Sequence, residues 1–226
     1  MEETNIKQFE LKRFTITFLL MVIGQSFLVL STVSFASAFK FLPRWMETFV
    51  IFILFAFFIF LIAAFLARNI NKYFRYSFYL MVTILICMLI YYICETSTNP
   101  IFLSWSKALE WVDDILIFVF YLYFFYSVYV FCKKYEYNVG IKHAKAALVA
   151  FIVLYSISTI ATFLSSVDGI KHNIIANRIF LYGGWVLNIA IYVYTLVVLI
   201  IFAVKAKKRI KLENKKEAEK DEKVHQ

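Results

Sequence analysis

The chain has 226 residues, of which 62% are hydrophobic, 20% aromatic and only 17% charged, with a formal net charge of +9. That balance excludes a soluble globular domain and identifies an integral membrane protein. The excess of Lys and Arg is accordingly assigned to anionic lipid at a membrane surface and not to nucleic acid, each basic group gaining on the order of 1 kcal/mol there.

Six apolar runs follow along the chain, at 14–39, 49–66, 78–94, 115–132, 146–164 and 181–204, and none contains Asp, Glu, Lys, Arg, His or Pro. At about 1.5 Å per residue the shortest run reaches about 25 Å as a helix, close to the hydrocarbon thickness of a bilayer. Backbone amides in lipid must bond within their own segment, so these runs are expected to be helices. They are too long and too unalternating for barrel strands. The expected fold is therefore all-α, a polytopic bundle of six transmembrane helices over 1–204, followed by a basic, mixed-charge tail over 205–226.

The first run follows Lys12 and Arg13 and is about twice a signal-peptide core in length, so it reads as a retained signal-anchor helix. The second, "FVIFILFAFFIFLIAAFL", has no polar side chain and is expected on the lipid-facing perimeter. Ahead of the fourth, "TNPIFLSWSKALEWVDD" offers Asn99 as a cap and Pro100 at the first helical position. Ile101, Trp105, Leu109 and Val112 then share one face and Ser104, Lys107, Glu110 and Asp114 another. This pattern predicts an interfacial helix lying on the outer leaflet before the chain turns inward. The tail "KAKKRIKLENKKEAEKDEKVHQ" cannot bury a core and reads as a solvated helix fraying toward Gln226.

Orientation comes from the 24 Lys and Arg. Six alternating spans place nineteen of them on one side, from Lys7, Lys12 and Arg13, Arg68, Lys72 and Arg75, Lys133, Lys134, Lys142 and Lys145, and nine in the tail. The other side holds Lys40, Arg44, Lys107, Lys171 and Arg178. The positive-inside rule then puts both termini in the cytoplasm, and Trp45, Trp105, Trp111 and Trp185 fall at or near the outer interface. Lys outnumbers Arg and Phe, Ile and Tyr are abundant, the composition of an AT-rich genome and in keeping with a bacterial plasma membrane.

The candidate site lies on the fifth and sixth runs. Tyr155, Ser158, Thr159, Thr162 and Ser166 recur at three- and four-residue spacing, as do Gly184, Asn188, Tyr192 and Thr195. Such stripes are poorly solvated by lipid and are expected to face another helix or a polar cavity, with Gln25 of the first run as the other amide in an apolar span. The alternative is packing alone, because small and hydroxylated residues commonly join membrane helices. Gln25, Tyr155, Thr159, Thr162, Asn188 and Tyr192 are the candidate ligand-binding residues, and Glu110, Asp113 and Asp114 a candidate acidic entrance that concentrates cations. The two aspartates equally suit the first turn of a helix, where the dipole favours carboxylates. Tyr121, Tyr123, Tyr126 and Tyr129 are spread around the fourth helix and read as packing aromatics and not a cage.

Catalysis finds no support. No H-E-x-x-H, G-x-S-x-G or phosphate-cradling glycine loop occurs, and no acid or base lies within a span to serve as general base. The chain is expected not to be an enzyme and to need no cofactor. His143, His172 and His225 fall on different sides and in the tail, and Asp168 with His172 supplies only two ligands, so no metal site is expected. Cys87, Cys94 and Cys132 lie in apolar runs without a C-x-x-C, as inert buried thiols would.

Two functions remain. One is a small transport or permease-type subunit for a neutral or weakly polar solute, requiring a partner membrane protein or ATPase subunit for active transport. The alternative is a membrane-embedded sensor, immunity or regulatory protein acting through protein contacts, its basic tail relaying the signal.

Overall fold

The computed structural model describes residues 2–38, 51–135, 138–167 and 172–224, and all of its regular structure there is helical. The helices are α1 (Glu2–Ala38), α2 (Ile51–Ala67), α3 (Lys72–Glu95), α4 (Pro100–Lys134), α5 (Asn138–Ser166) and α6 (Ile174–Val224). Five of them are long and apolar enough to cross a membrane, and α2 is a shorter apolar helix. This is the helical membrane bundle that the composition requires. Lys40, Arg44, Trp45, Asp168, Lys171 and His225 lie outside the described residues.

Each helix packs against its neighbours in sequence, and α1 packs against α6, so the six close into a ring. Two hydrogen bonds fix the direction of that last contact. Gln25 reaches Tyr192 and Trp185 reaches Thr32, so α1 rises as α6 descends and the two leave the bundle at the same end.

The inward face of each helix repeats every three or four residues, the spacing that keeps one stripe on a helix in contact with its neighbours. On α1 the buried residues include Leu11, Phe14, Phe18, Met21, Gln25, Leu28 and Thr32, and on α5 they include Gly140, Ala144, Ala147, Phe151 and Ser158. Rings fill the space between the helices. Phe14 of α1 stacks on Phe131 of α4 at 3.9 Å, Phe60 of α2 lies 6.2 Å from Phe120, and Phe74 of α3 meets Phe124 edge-on at 5.7 Å. Tyr121 lies 4.9 Å from Phe151 of α5. Lipid is as apolar as these rings, so dispersion and ring geometry hold them together and not expulsion from water, each aromatic pair adding about 0.5–1.5 kcal/mol.

Asparagines set the helix starts. Asn71 accepts from the backbone N–H of Tyr73 and Phe74, both at 3.0 Å, and its Nδ2 donates to the carbonyl of Ser127 at 3.1 Å, so one side chain caps α3 and ties it to α4. Asn99 caps α4 through Ile101 N–H at 2.9 Å, with Pro100 in the first turn, as the sequence indicates. Asn173 accepts from Ala176 at the start of α6.

Two expectations change. The amphipathic stretch ahead of the fourth run is not a separate element, because α4 runs unbroken from Pro100 to Lys134. Once past Pro100, no Gly or Pro interrupts it, so the stretch forms the first turns of the spanning helix itself. Nor is α2 wholly lipid-facing. Ala56, Phe57, Phe60, Ala63, Ala64 and Ala67 are buried, while Ile51, Leu54, Phe55, Phe58, Ile62 and Phe65 are exposed, so a helix without polar residues still has an inward side, marked by its alanines. There α1 comes closest, since a Cβ at Gly24 would stand 2.5 Å from Phe60 Cε1 and 3.2 Å from the Ala56 carbonyl oxygen.

Candidate functional site

The central amide is Gln25, fully buried on the inward stripe of α1. An unpaired amide in lipid or in an apolar core costs several kcal/mol, so it must be bonded at both ends. Its Oε1 accepts from the hydroxyl of Tyr121 of α4 at 2.6 Å, and its Nε2 donates to the Tyr192 carbonyl of α6 at 3.1 Å. Three helices that are far apart in sequence therefore meet on one side chain. Tyr121 is itself buried, with rings of Phe60, Phe120 and Phe151 around it.

A second polar group joins α5 to α6. Ser158 is buried, and its Oγ lies 2.9 Å from Asn188 Oδ1 and 3.2 Å from the Gly184 carbonyl. Thr162, one turn on, donates to the Ser158 carbonyl at 3.1 Å, and its Oγ1 would lie 3.0 Å from a Cβ at Gly184. Glycine at 184 is what lets the two backbones approach there. A third contact joins α4 to α5, where Tyr155 stacks on Phe118 at 4.9 Å and donates its hydroxyl to the Asp114 carbonyl at 2.7 Å.

The six candidate ligand-binding residues thus fall into separate groups. Gln25 and the backbone of Tyr192 share one, Asn188 and Thr162 border another, Tyr155 belongs to a third, and Thr159 is half-buried outside all of these bonds. Of the acidic entrance, Asp114 is exposed and Asp113 half-buried with one carboxylate oxygen buried and unpaired, while the side chain of Glu110 lies outside the described residues. Tyr121, which the sequence reading takes as a packing aromatic, and Ser158, which lies on the polar stripe but outside the candidate set, both carry interhelical hydrogen bonds.

Two more hydroxyls on the inward faces of α1 and α6, Thr17 and Thr195, are fully buried and have no hydrogen-bond partner among the described residues. At the end where the termini leave, Glu10 receives hydrogen bonds from Tyr135 and, at 2.9 and 3.1 Å, from Lys134, so the first turns of α1 are tied to the end of α4. Burial, the bond to Glu10 and the Glu10 charge together push the Tyr135 hydroxyl well above the ordinary tyrosine range.

Chemically the interior groups are neutral donors and acceptors, suited to holding helices in register or to exchanging partners with a neutral hydrogen-bonding molecule. No group of three or more His, Cys, Asp or Glu able to hold a metal occurs among the described residues. Cys94 and Cys132 are buried and Cys87 is half-buried. Compared with protein-family models, with curated proteins and with solved structures, the chain matches none.

Proposed function

We propose that this protein is a membrane-embedded sensor or regulatory module that acts by contact with another protein, with its basic end and both termini in the cytoplasm, in keeping with a bacterial plasma membrane. The observation that carries the reading is α6. The same helix that bonds to Gln25 and Ser158 inside the bundle continues without a break to Val224, about 30 Å beyond its apolar run. A change in the packing of α1 or α5 against it alters the position of a rigid basic rod on which a partner can dock. Nineteen Lys and Arg on that side support the orientation.

Spin labels at Leu212→Cys and Lys142→Cys, in a variant lacking the native cysteines and held in nanodiscs, test the relay. Gln25→Leu is expected to shift or broaden the distance distribution between them by several ångströms. An unchanged distribution in a folded variant refutes the relay, and so does full biological activity after deletion of residues 206–226.

A permease-type subunit for a neutral or weakly polar solute is the second reading, favoured by the unpaired hydroxyls of Thr17 and Thr195 and the unpaired carboxylate oxygen of Asp113. Uptake into proteoliposomes that survives deletion of residues 206–226 but falls on replacing Gln25 and Asn188 with leucine supports this reading against the first.

A further inference from the structure

Five tyrosines gather on the outer surface of α3 and α4 near the end from which the termini leave. Tyr73 meets Tyr126 edge-on at 4.7 Å, Tyr126 lies 6.0 Å from Tyr129, and Tyr76 lies 5.8 Å from Tyr123. The row is closed at each side by an ammonium: Lys72 Nζ is 5.1 Å from the Tyr73 ring, and Lys145 of α5 reaches across to lie 5.6 Å from Tyr129. Tyr126 and Tyr76 are exposed, as are both lysines, and among the described residues neither lysine has a carboxylate partner.

The depth of this belt is fixed by the chain. Asn71, next to Lys72, is bonded to Ser127 between Tyr126 and Tyr129, and Lys145 immediately precedes the apolar run of α5. The belt therefore sits where hydrocarbon gives way to headgroups, on the basic side of the bundle. Ring faces alone attract cations, but here both flanks are already occupied by ammonium groups, which repel a further cation and attract an anion. Exposed rings between two lysines leave room for a phosphate beside each ammonium and for acyl chains against the ring faces.

We propose that this tyrosine and lysine belt across α3, α4 and α5 binds the headgroups of anionic phospholipid, with a phosphate at Lys72 beside Tyr73 and Tyr126 and another at Lys145 beside Tyr129. The belt is a discrete site, apart from the general attraction of the basic end to anionic lipid, and it lines three helices with that lipid. A soluble phosphate lacks the acyl chains that the exposed rings contact and is not the ligand.

Native mass spectrometry of the full chain in mild detergent, titrated with phosphatidylglycerol and with phosphatidylcholine, tests it. Wild-type protein is expected to retain phosphatidylglycerol preferentially, and Lys72→Gln with Lys145→Gln is expected to reduce that preference about tenfold or more. Lys205→Gln with Lys207→Gln removes the same charge from the same end and is expected to leave it unchanged. Equal loss in both variants, no loss in the first, or displacement of the bound lipid by inorganic phosphate overturns the proposal. If the first variant does not fold, Tyr73→Phe with Tyr126→Phe takes its place: a several-fold drop supports the site and an unchanged preference refutes it.

Discussion

Replacing Gln25 with leucine removes its two hydrogen bonds, one to α4 and one to α6, while nearly conserving the volume of the side chain. The larger loss falls on Tyr121, whose buried hydroxyl is left without its acceptor, at about 1–3 kcal/mol. The Tyr192 carbonyl loses a neutral interhelical bond, worth about 0.6 kcal/mol in membrane proteins. Gln25→Leu is therefore expected to destabilise the bundle by about 2 kcal/mol. Tyr121→Phe strands Gln25 Oε1 instead and is expected to cost about 1–2 kcal/mol. In the double variant neither orphan remains and only the Tyr192 bond is lost, so the two costs do not add, and a double-mutant cycle should return a coupling of about 2–3 kcal/mol. Reversible unfolding in mixed micelles, or steric trapping in bicelles, measures all four stabilities. Additivity within about 0.3 kcal/mol would show that the two side chains do not share a bond and would remove the centre of the site described here.

Two further outcomes follow from contacts at the edges of the ring. A methyl group at Gly24 must displace Phe60, itself locked against Phe120 and Tyr121, so Gly24→Ala is expected to cost about 1–3 kcal/mol. Gly183 has nothing within 4 Å of its would-be Cβ, and Gly183→Ala is expected to be neutral or to stabilise by up to about 1 kcal/mol through helix propensity; the same unfolding assay separates the pair. The Tyr135 hydroxyl titrates above its unfolded value near 10, so the folded protein keeps a proton that the unfolded chain sheds. Its contribution is complete below about pH 10 and declines as pH rises further, so the unfolding midpoint should fall more steeply above about pH 10 in wild type than in Tyr135→Phe.

Much of the architecture is legible in the sequence because a membrane leaves the chain few choices. Charge-free runs of 17 or more residues mark the spanning segments, and Asn99 with Pro100 marks the start of α4 to the residue. That Gln25 and Asn188 need partners also follows from their polarity alone. Which partners they take does not, since Tyr121 is one of four tyrosines on its helix and only the packing of α1 against α4 selects it. The inward face of α2 is obscure for a different reason: every residue of that run is apolar, so polarity cannot distinguish lipid from protein, and only the size difference between its alanines and phenylalanines can. That the stretch ahead of the fourth run is continuous with α4 is not legible in the sequence, because an amphipathic pattern fits equally a separate in-plane helix and the first turns of a longer one.

The closure of the ring also dictates an order of events during synthesis. Tyr121 lies 96 positions after Gln25 and Tyr192 lies 167 positions after it. At roughly 5–20 residues per second, its second partner arrives roughly 8–30 s after it. For that interval the first helix stands in the bilayer or at the insertion machinery with an amide it cannot satisfy against its eventual neighbours, held there by the mean hydropathy of 2.0 in its span. Assembly of this protein is thus completed by its final stave, and a ribosome stalled before α6 would leave a barrel open along one side.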